Sequence, residues 1–221
     1  NTAGTRIPAE VAKVKRTRMF RIPKKLHHIW VGPKPAPVEW MNTWREKHPD
    51  WDYTLWDNDK VFSRTWINQK HVDYYRERGI WHGVADVIRY EILFEQGGFM
   101  PGADSICENP VDELFTDGFD AYCVYENENV RPGLISPLYA CAPGCSFAKE
   151  LIDGLTKKET VGEPWIDTGN TYMMQMVERT KHPVKIFPSY VFNPVHYTGE
   201  TYQGSGKIYG RQLWGTTLET Y

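Results

Sequence analysis

The segment from Val84 to Asp104, VADVIRYEILFEQGGFMPGAD, constrains the fold more than any other part of the chain. Apolar residues recur at helical spacing up to Gln96, and Gly97-Gly98 is the expected helix stop. Phe99-Met100 then returns to extended chain, Pro101-Gly102 forces a turn, and a carboxylate, Asp104, emerges just behind Ala103. An acid presented this way, at the end of brief extended chain behind a helix, is how α/β proteins offer a carboxylate to a ligand or metal. On the helix itself Asp86 and Arg89 are three apart and share a face, which Tyr90 and Leu93 make partly apolar. A carboxylate and a guanidinium on a half-buried face need each other or a polar ligand. Both readings, structural ion pair and ligand contact, follow from this pair.

The flanking sequence agrees with an α/β chain. Lys25 to Val31 reads as a strand stopped by Gly32-Pro33, Glu39 to Lys47 as a short helix, and Tyr53 to Trp56 as a second strand. Strand, helix, strand in that order predicts a parallel start. Helices are expected over 68–78 and 84–96, separated by Gly79 and Gly83, and again over 146–155 and 168–179. Further strands are expected over 121–125, 138–142 and 184–187. With 221 residues and no repeat or low-complexity linker, the chain reads as one domain, residues 21–221. It is preceded by a basic arm, residues 1–20, with Lys13, Lys15, Arg16 and Arg18.

Composition excludes several classes. A net charge of -2 with 24% charged residues gives no ground for nucleic-acid binding, and no apolar run is long enough for a membrane span. No leader pattern is legible. Cys107, Cys123, Cys141 and Cys145 have no zinc spacing, and a chain of this length needs no staples, so the expectation is reduced, buried cysteines in a cytoplasmic protein. The aromatic content, 14% with nine Trp and 13 Tyr, is accounted for mostly by core and partly exposed surface, and rings beside loops can also stack on sugars or bases.

Four segments in order carry a family resemblance: IPKKLHHIWVG from Ile22, YTLWD from Tyr53, ADVIRY from Ala85 and GGFMPGAD from Gly97. The chain from about Arg21 onward resembles glycosyltransferase family thirty-two, which includes yeast initiating mannosyltransferases and is related to the glucosylating domain of the large clostridial toxins. The resemblance implies a single GT-A type, Rossmann-like domain with a mixed, mostly parallel central sheet flanked by helices. It implies a retaining transfer of a hexose from a UDP- or GDP-sugar to a saccharide, protein or other hydroxyl acceptor, usually with Mn or Mg. Ile29, Trp30 and Val31 match the segment that holds the nucleobase, with Trp30 as the stacking ring. Asp86 and Arg89 match donor-sugar and phosphate contacts, and Ala103-Asp104 ends the D-x-D motif, Asp104 being the usual metal ligand. Asp167, Gly169 and Asn170 match a turn that hydrogen-bonds the sugar. Trp214 matches a ring that covers the donor, and His196 reads as a packed residue among aromatics.

The chain departs from this pattern at three places, one of them Met100, which replaces the usual aromatic. Gly102 stands where the first acid of D-x-D is expected, and Gln212 stands two residues before Trp214, where the family has His or Ser. The remaining metal ligands, Asp104 and Gln212, form a weakened set. Arg211 and Lys207 are then candidates to neutralise a diphosphate directly. Two functions compete on these residues: a transferase with Asp86, Arg89 and Asp104 at its centre, or a relative that binds nucleotide sugars with weakened or lost catalysis. A third, the basic arm as an interaction module, rests on the first 20 residues alone. An acceptor would be met by variable loops, between Asn109 and Ser136 and after Pro188.

Overall fold

The computed structural model describes residues 22–221, so the basic arm lies outside the described residues. The chain opens with strand β1 (Lys25–Ile29), helix α1 (Val38–Lys47) and strand β2 (Asp52–Trp56), which pairs with β1 in parallel from Lys25↔Asp52 to Ile29↔Trp56. Asp57 caps the next short helix, α2 (Asn58–Phe62), its carboxylate accepting from the Lys60 amide at 3.0 Å. Helices α3 (Gln69–Glu77) and α4 (Trp81–Gln96) follow. Helix α4 begins three residues earlier than the glycine spacing predicts. Gly83 lies inside it because a side chain there would collide with the Tyr75 ring, so the glycine serves helix packing and not a break.

After α4 the chain makes strand β3 (Gly98–Phe99), a turn, and strand β4 (Ser105–Cys107). Strands β5 (Ala121–Val124) and β6 (Ala140–Cys141) precede helices α5 (Ser146–Lys157), α6 (Pro164–Asp167) and α7 (Asn170–Thr180). Strands β7 (Val184–Phe187) and β8 (Gly210–Gln212) complete the fold. The main sheet has the order β2-β1-β3-β6-β5-β7. Three of its pairings, β1 with β2 and β3 and β5 with β7, are parallel, while β6 runs antiparallel to both neighbours. Strands β4 and β8 form a separate antiparallel pair. The mixed, mostly parallel sheet expected of a GT-A-like domain is present.

The core lies on both faces of this sheet. Along β5, Ala121 and Cys123 enter one apolar cluster with Val87, Ile88, Leu151 and Met173 from the helices, while Tyr122 and Val124 enter a second with Leu26, Trp44, Phe99 and Phe192. That alternation is the two-residue period of a strand buried on both sides. All four cysteines are buried free thiols, as expected for a core that needs no staples. Among the described residues no helix is long and apolar enough to cross a membrane.

The helix stop holds the layers in register. Gly97 and Gly98 both have positive φ, 66° and 109°, and a β-carbon on Gly98 would lie 2.3 Å from the Lys25 carbonyl oxygen. Only a residue without a side chain lets β3 start against β1 here. Buried His27 reinforces the junction: its Nε2 lies 2.9 Å from the Gly97 carbonyl and its Nδ1 accepts from Trp56 Nε1. Gly98→Ala is expected to lower stability by roughly 2–4 kcal/mol through backbone strain plus the steric clash. Urea unfolding checks this, and a loss below about 1 kcal/mol would show that the junction relaxes easily.

Candidate active site

Two adjacent parallel strands, β1 and β3, end on the same side of the sheet, and the chain leaves β1 toward β2 on one flank and reaches β3 on the other. Such a point, where successive connections diverge, leaves a crevice beyond the strand ends. A cavity of about 410 Å³ occupies it, lined by Ile29, Trp30 and Val31 after β1, by Trp81, His82, Ala85, Asp86 and Arg89 of α4, and by the Pro101–Asp104 turn. Lys34, Thr216 and Tyr221 close its rim. Trp30 is fixed edge-on to Tyr221, and its Nε1 donates to the Lys34 carbonyl at 2.8 Å.

Asp86 and Arg89 share the face expected of them, yet they do not bond to each other. Asp86 Oδ2 accepts from the Thr168 hydroxyl at 3.1 Å, and the Arg89 guanidinium donates to the carbonyls of Met100 at 2.8 Å and Leu138 at 3.0 Å. The turn after β3 supplies the Met100 carbonyl and the loop before β6 supplies that of Leu138. Burial pushes the Asp86 carboxyl up to about 7, while the Arg89 charge and the Thr168 bond pull it down. Burial also lowers the Arg89 pKa, with Asp86 acting in the opposite direction.

Asp104 is placed by the small β4–β8 pair. Ser105 faces Gln212 in that ladder, so the Gln212 amide reaches Asp104 Oδ1 at 2.7 Å, and the Leu213 amide donates to the Asp104 carbonyl. The turn is anchored from below: Ser105 Oγ donates to the Gly102 carbonyl at 2.6 Å, and buried Trp44 donates its Nε1 to Ser105.

A divalent ion needs several oxygen ligands with net negative charge. Gly102, Asp104 and Gln212 meet here, but one oxygen of the single carboxylate is already taken by the Gln212 amide, and among the described residues no group of three His, Cys, Asp or Glu could hold a metal. The residues present therefore do not fit a preformed metal cage.

Other expected residues divide between two places. A second cavity of about 650 Å³ lies beyond the Asp104 turn and takes Asn170, Gln212 and Trp214 in its wall. Trp30 and Trp214 thus line different cavities, and a single base between them is not what the geometry offers. The Trp214 indole donates to the Val195 carbonyl and packs against His196 and Tyr197. Asp167 is turned away, its carboxylate accepting from the Gly162 amide at 2.6 Å, and it lines neither cavity. Neither Asp167 nor Thr168 caps α7, whose N-cap is Gly169. Gly169 acts by closeness: a β-carbon there would lie 2.8 Å from Asp86 Oδ2. Arg211 and Lys207 are paired with Glu108 and Glu113 and line neither cavity. Lys34 supplies the second cation of the first cavity, and its position after a Gly-Pro turn gave no sequence signal. Trp81 and His82 were also missed, because the glycine spacing placed them before the helix they open.

The helix face and the turn that build this crevice lie in a segment with known likenesses. Residues 37–119 match the sequence model of the family described as "Glycosyltransferase sugar-binding region containing DXD motif". That match covers well under half of the chain, and with the relatives below it shows a likeness to glycosyltransferases. It is 27% identical over 146 residues to inositol phosphoceramide mannosyltransferase 3 of Schizosaccharomyces pombe, covering 62% of this chain and 38% of the relative. It is 29% identical over 136 residues to protein L263 of Acanthamoeba polyphaga mimivirus, covering 61% of this chain and 22% of that one. The chain thus spans well under half the length of these curated relatives. Among solved structures, the PaToxG glycosyltransferase shares the fold, with a TM-score of 0.58, 10% identity and coverage of 78% of this chain and 76% of that one.

The raised Asp86 pKa sets a pH dependence. A native carboxyl near pH 7 against an ordinary value of 3.8 means the folded state holds its proton more tightly, so this group's contribution to stability falls as pH rises between those values. Asp86→Asn is expected to remove that slope, gaining on the order of 4 kcal/mol relative to wild type between about pH 4 and pH 8. Urea melts of both proteins at the two pH values check it. A difference that does not change with pH would refute the shift.

Proposed function

We propose that the chain transfers a hexose from a UDP- or GDP-sugar to a hydroxyl acceptor, with retention at the sugar carbon. The observation that carries this reading is one cavity at the β1–β3 crevice whose wall brings together an aromatic ring, Trp30, with Asp86, Arg89 and Asp104. A nucleoside diphosphate sugar has the matching sequence of groups: a base to stack, a diphosphate to neutralise, a sugar whose hydroxyls need acceptors. Ile29 and Val31 flank the base, Arg89 and Lys34 face the diphosphate, and Asp86 accepts from sugar hydroxyls. Transfer then depends mostly on stabilising charge on the departing diphosphate, which preplaced cations do without reorganisation. Asp104, held by Gln212, borders the place where the sugar carbon meets its acceptor. The relative named as a mannosyltransferase makes a mannose nucleotide the first donor to try. The four free thiols support a cytoplasmic setting for the chain.

The Asp104–Gln212 hydrogen bond favours a second reading, a nucleotide-sugar binder with weakened catalysis, because it uses acceptor capacity that a metal-assisted transferase keeps for the ion. Turnover separates the two: nucleotide binding without hydrolysis or transfer across a panel of UDP- and GDP-sugars supports the binder.

Thermal shift with the panel is expected to find one nucleotide that stabilises the protein. Trp30→Ala should weaken its affinity by about tenfold, the loss of one base-stacking ring. Stabilisation by no nucleotide, or an unchanged affinity in Trp30→Ala, overturns the donor-site assignment. A separate expectation concerns the turn. A side chain on Gly102 would start 3.2 Å from Asp104 Oδ1 and 3.0 Å from Gln212 Oε1, so Gly102→Asp places a second carboxylate beside the first. Calorimetric titration of Mn in the presence of UDP should show at least about fivefold tighter binding than in wild type. Equal affinities would mean the turn does not direct that carboxylate at a shared ion.

A further inference from the structure

The second cavity is larger than the first and shares a wall with it: His82, Arg89, Gly102, Asp104 and Thr216 line both. A molecule in each would meet across the Asp104 turn. Its remaining wall has two kinds of surface. Tyr139, Trp165, Tyr197 and Trp214 supply rings, and Glu126 and Arg131 supply charge.

Glu126 is the unusual residue. Its side chain is 13% exposed, and its Oε2 is buried without a hydrogen-bond partner. Arg131 Nε lies 3.3 Å from that oxygen and His196 Nε2 3.7 Å, and the His196 nitrogen is itself buried and unpartnered. Arg131 offsets the charge on Oε2, which leaves the other carboxylate oxygen of Glu126 to accept from hydroxyls of a ligand in the cavity. Arg131 is already engaged, pairing with Glu126 and donating to the Tyr197 hydroxyl at 2.7 Å. That leaves no uncommitted cation beside Glu126 to attract a phosphate. A carboxylate with spare acceptor capacity among aromatic rings suits a neutral ligand that offers hydroxyl donors from a ring with apolar C–H faces.

We infer that the second cavity is the acceptor subsite, that it takes a neutral cyclic polyol such as a pyranose or cyclitol, and that Glu126 is the group that recognises its hydroxyls. This rests on the donor reading of the first cavity for the word acceptor, but polyol binding does not depend on it. Glu126 is held in place by Arg131 and His196, and Trp165, 47% exposed, forms a lip on which the ring packs.

Saturation-transfer NMR with methyl α-D-mannopyranoside and with myo-inositol, on the full chain with and without UDP or GDP, tests this. Wild type is expected to saturate at least one polyol. Glu126→Gln, which keeps shape and removes the charge, should weaken that affinity tenfold or more. Trp165→Ala, which removes an exposed ring and no core contact, should do the same, and nucleotide affinity read on the same samples should shift by less than twofold in both. Polyol affinity unchanged in both variants, or no polyol bound by wild type, overturns the proposal. Polyol binding by wild type without any nucleotide binding would leave this subsite standing and refute the donor reading instead.

Discussion

The Arg89 guanidinium, tied to the Met100 and Leu138 carbonyls, joins helix α4 to two segments that the β3–β6 pairing already sets side by side, the turn after β3 and the loop before β6. A buried cation costs several kcal/mol unless its donors find partners. Here carbonyl oxygens take that role for Nη1, while Nε stays buried without a partner, and the bond fixes the carbonyl of Met100 and with it the start of the Pro101–Asp104 turn. Both cavities then form around the same side chain. The guanidinium keeps its charge because burial, which lowers its pKa, works against a group that is effectively always protonated.

Asp86 shows the other half of the same electrostatics. It sits one turn from Arg89 on α4, is packed against Gly169 and is bonded by Thr168. Arg89 pulls its pKa down but burial outweighs that, leaving the carboxyl near 7. A diphosphate bound beside Arg89 would add negative charge close by and favour the proton on Asp86 further. The protonation of this acid and the filling of the cavity are therefore coupled, and the coupling runs in both directions.

Much of this was legible before any coordinates. Strand-helix-strand order, the double-glycine stop and the emerging Asp104 fixed the α/β start and half of the first cavity, because periodicity and glycine are local signals. The register of β3 against β1 was implicit in Gly98, although its steric reason, the Lys25 carbonyl, lies 73 positions earlier in the chain and carries no sequence mark. The β4–β8 pair was missed since each strand is three residues long and their partnership spans more than 100 positions. Lys34 and Glu126 were invisible for a related reason: a lone charge in a loop looks solvated until another segment is folded over it. The loops expected to meet an acceptor do supply Glu126, Arg131 and Tyr197, but their convergence is tertiary.

The Asp104–Gln212 contact shows what that long-range closure does to chemistry. Asp104 is delivered by a local turn, yet its hydrogen-bond partner arrives on the last strand, so the carboxylate reaches its final environment only when the C-terminal segment is laid against β4. Had position 102 carried a second acid, the two carboxylates would repel each other at that turn and need a cation to offset them. Glycine leaves no such repulsion, and the neutral glutamine amide gives the one carboxylate a hydrogen-bond donor. Two of the departures from the pattern the chain resembles, Gly102 and Gln212, therefore meet at one carboxylate. Restoring an acid at 102 alone would set two carboxylates against an amide that can satisfy only part of their charge, so the turn and the final strand have to be read as one unit.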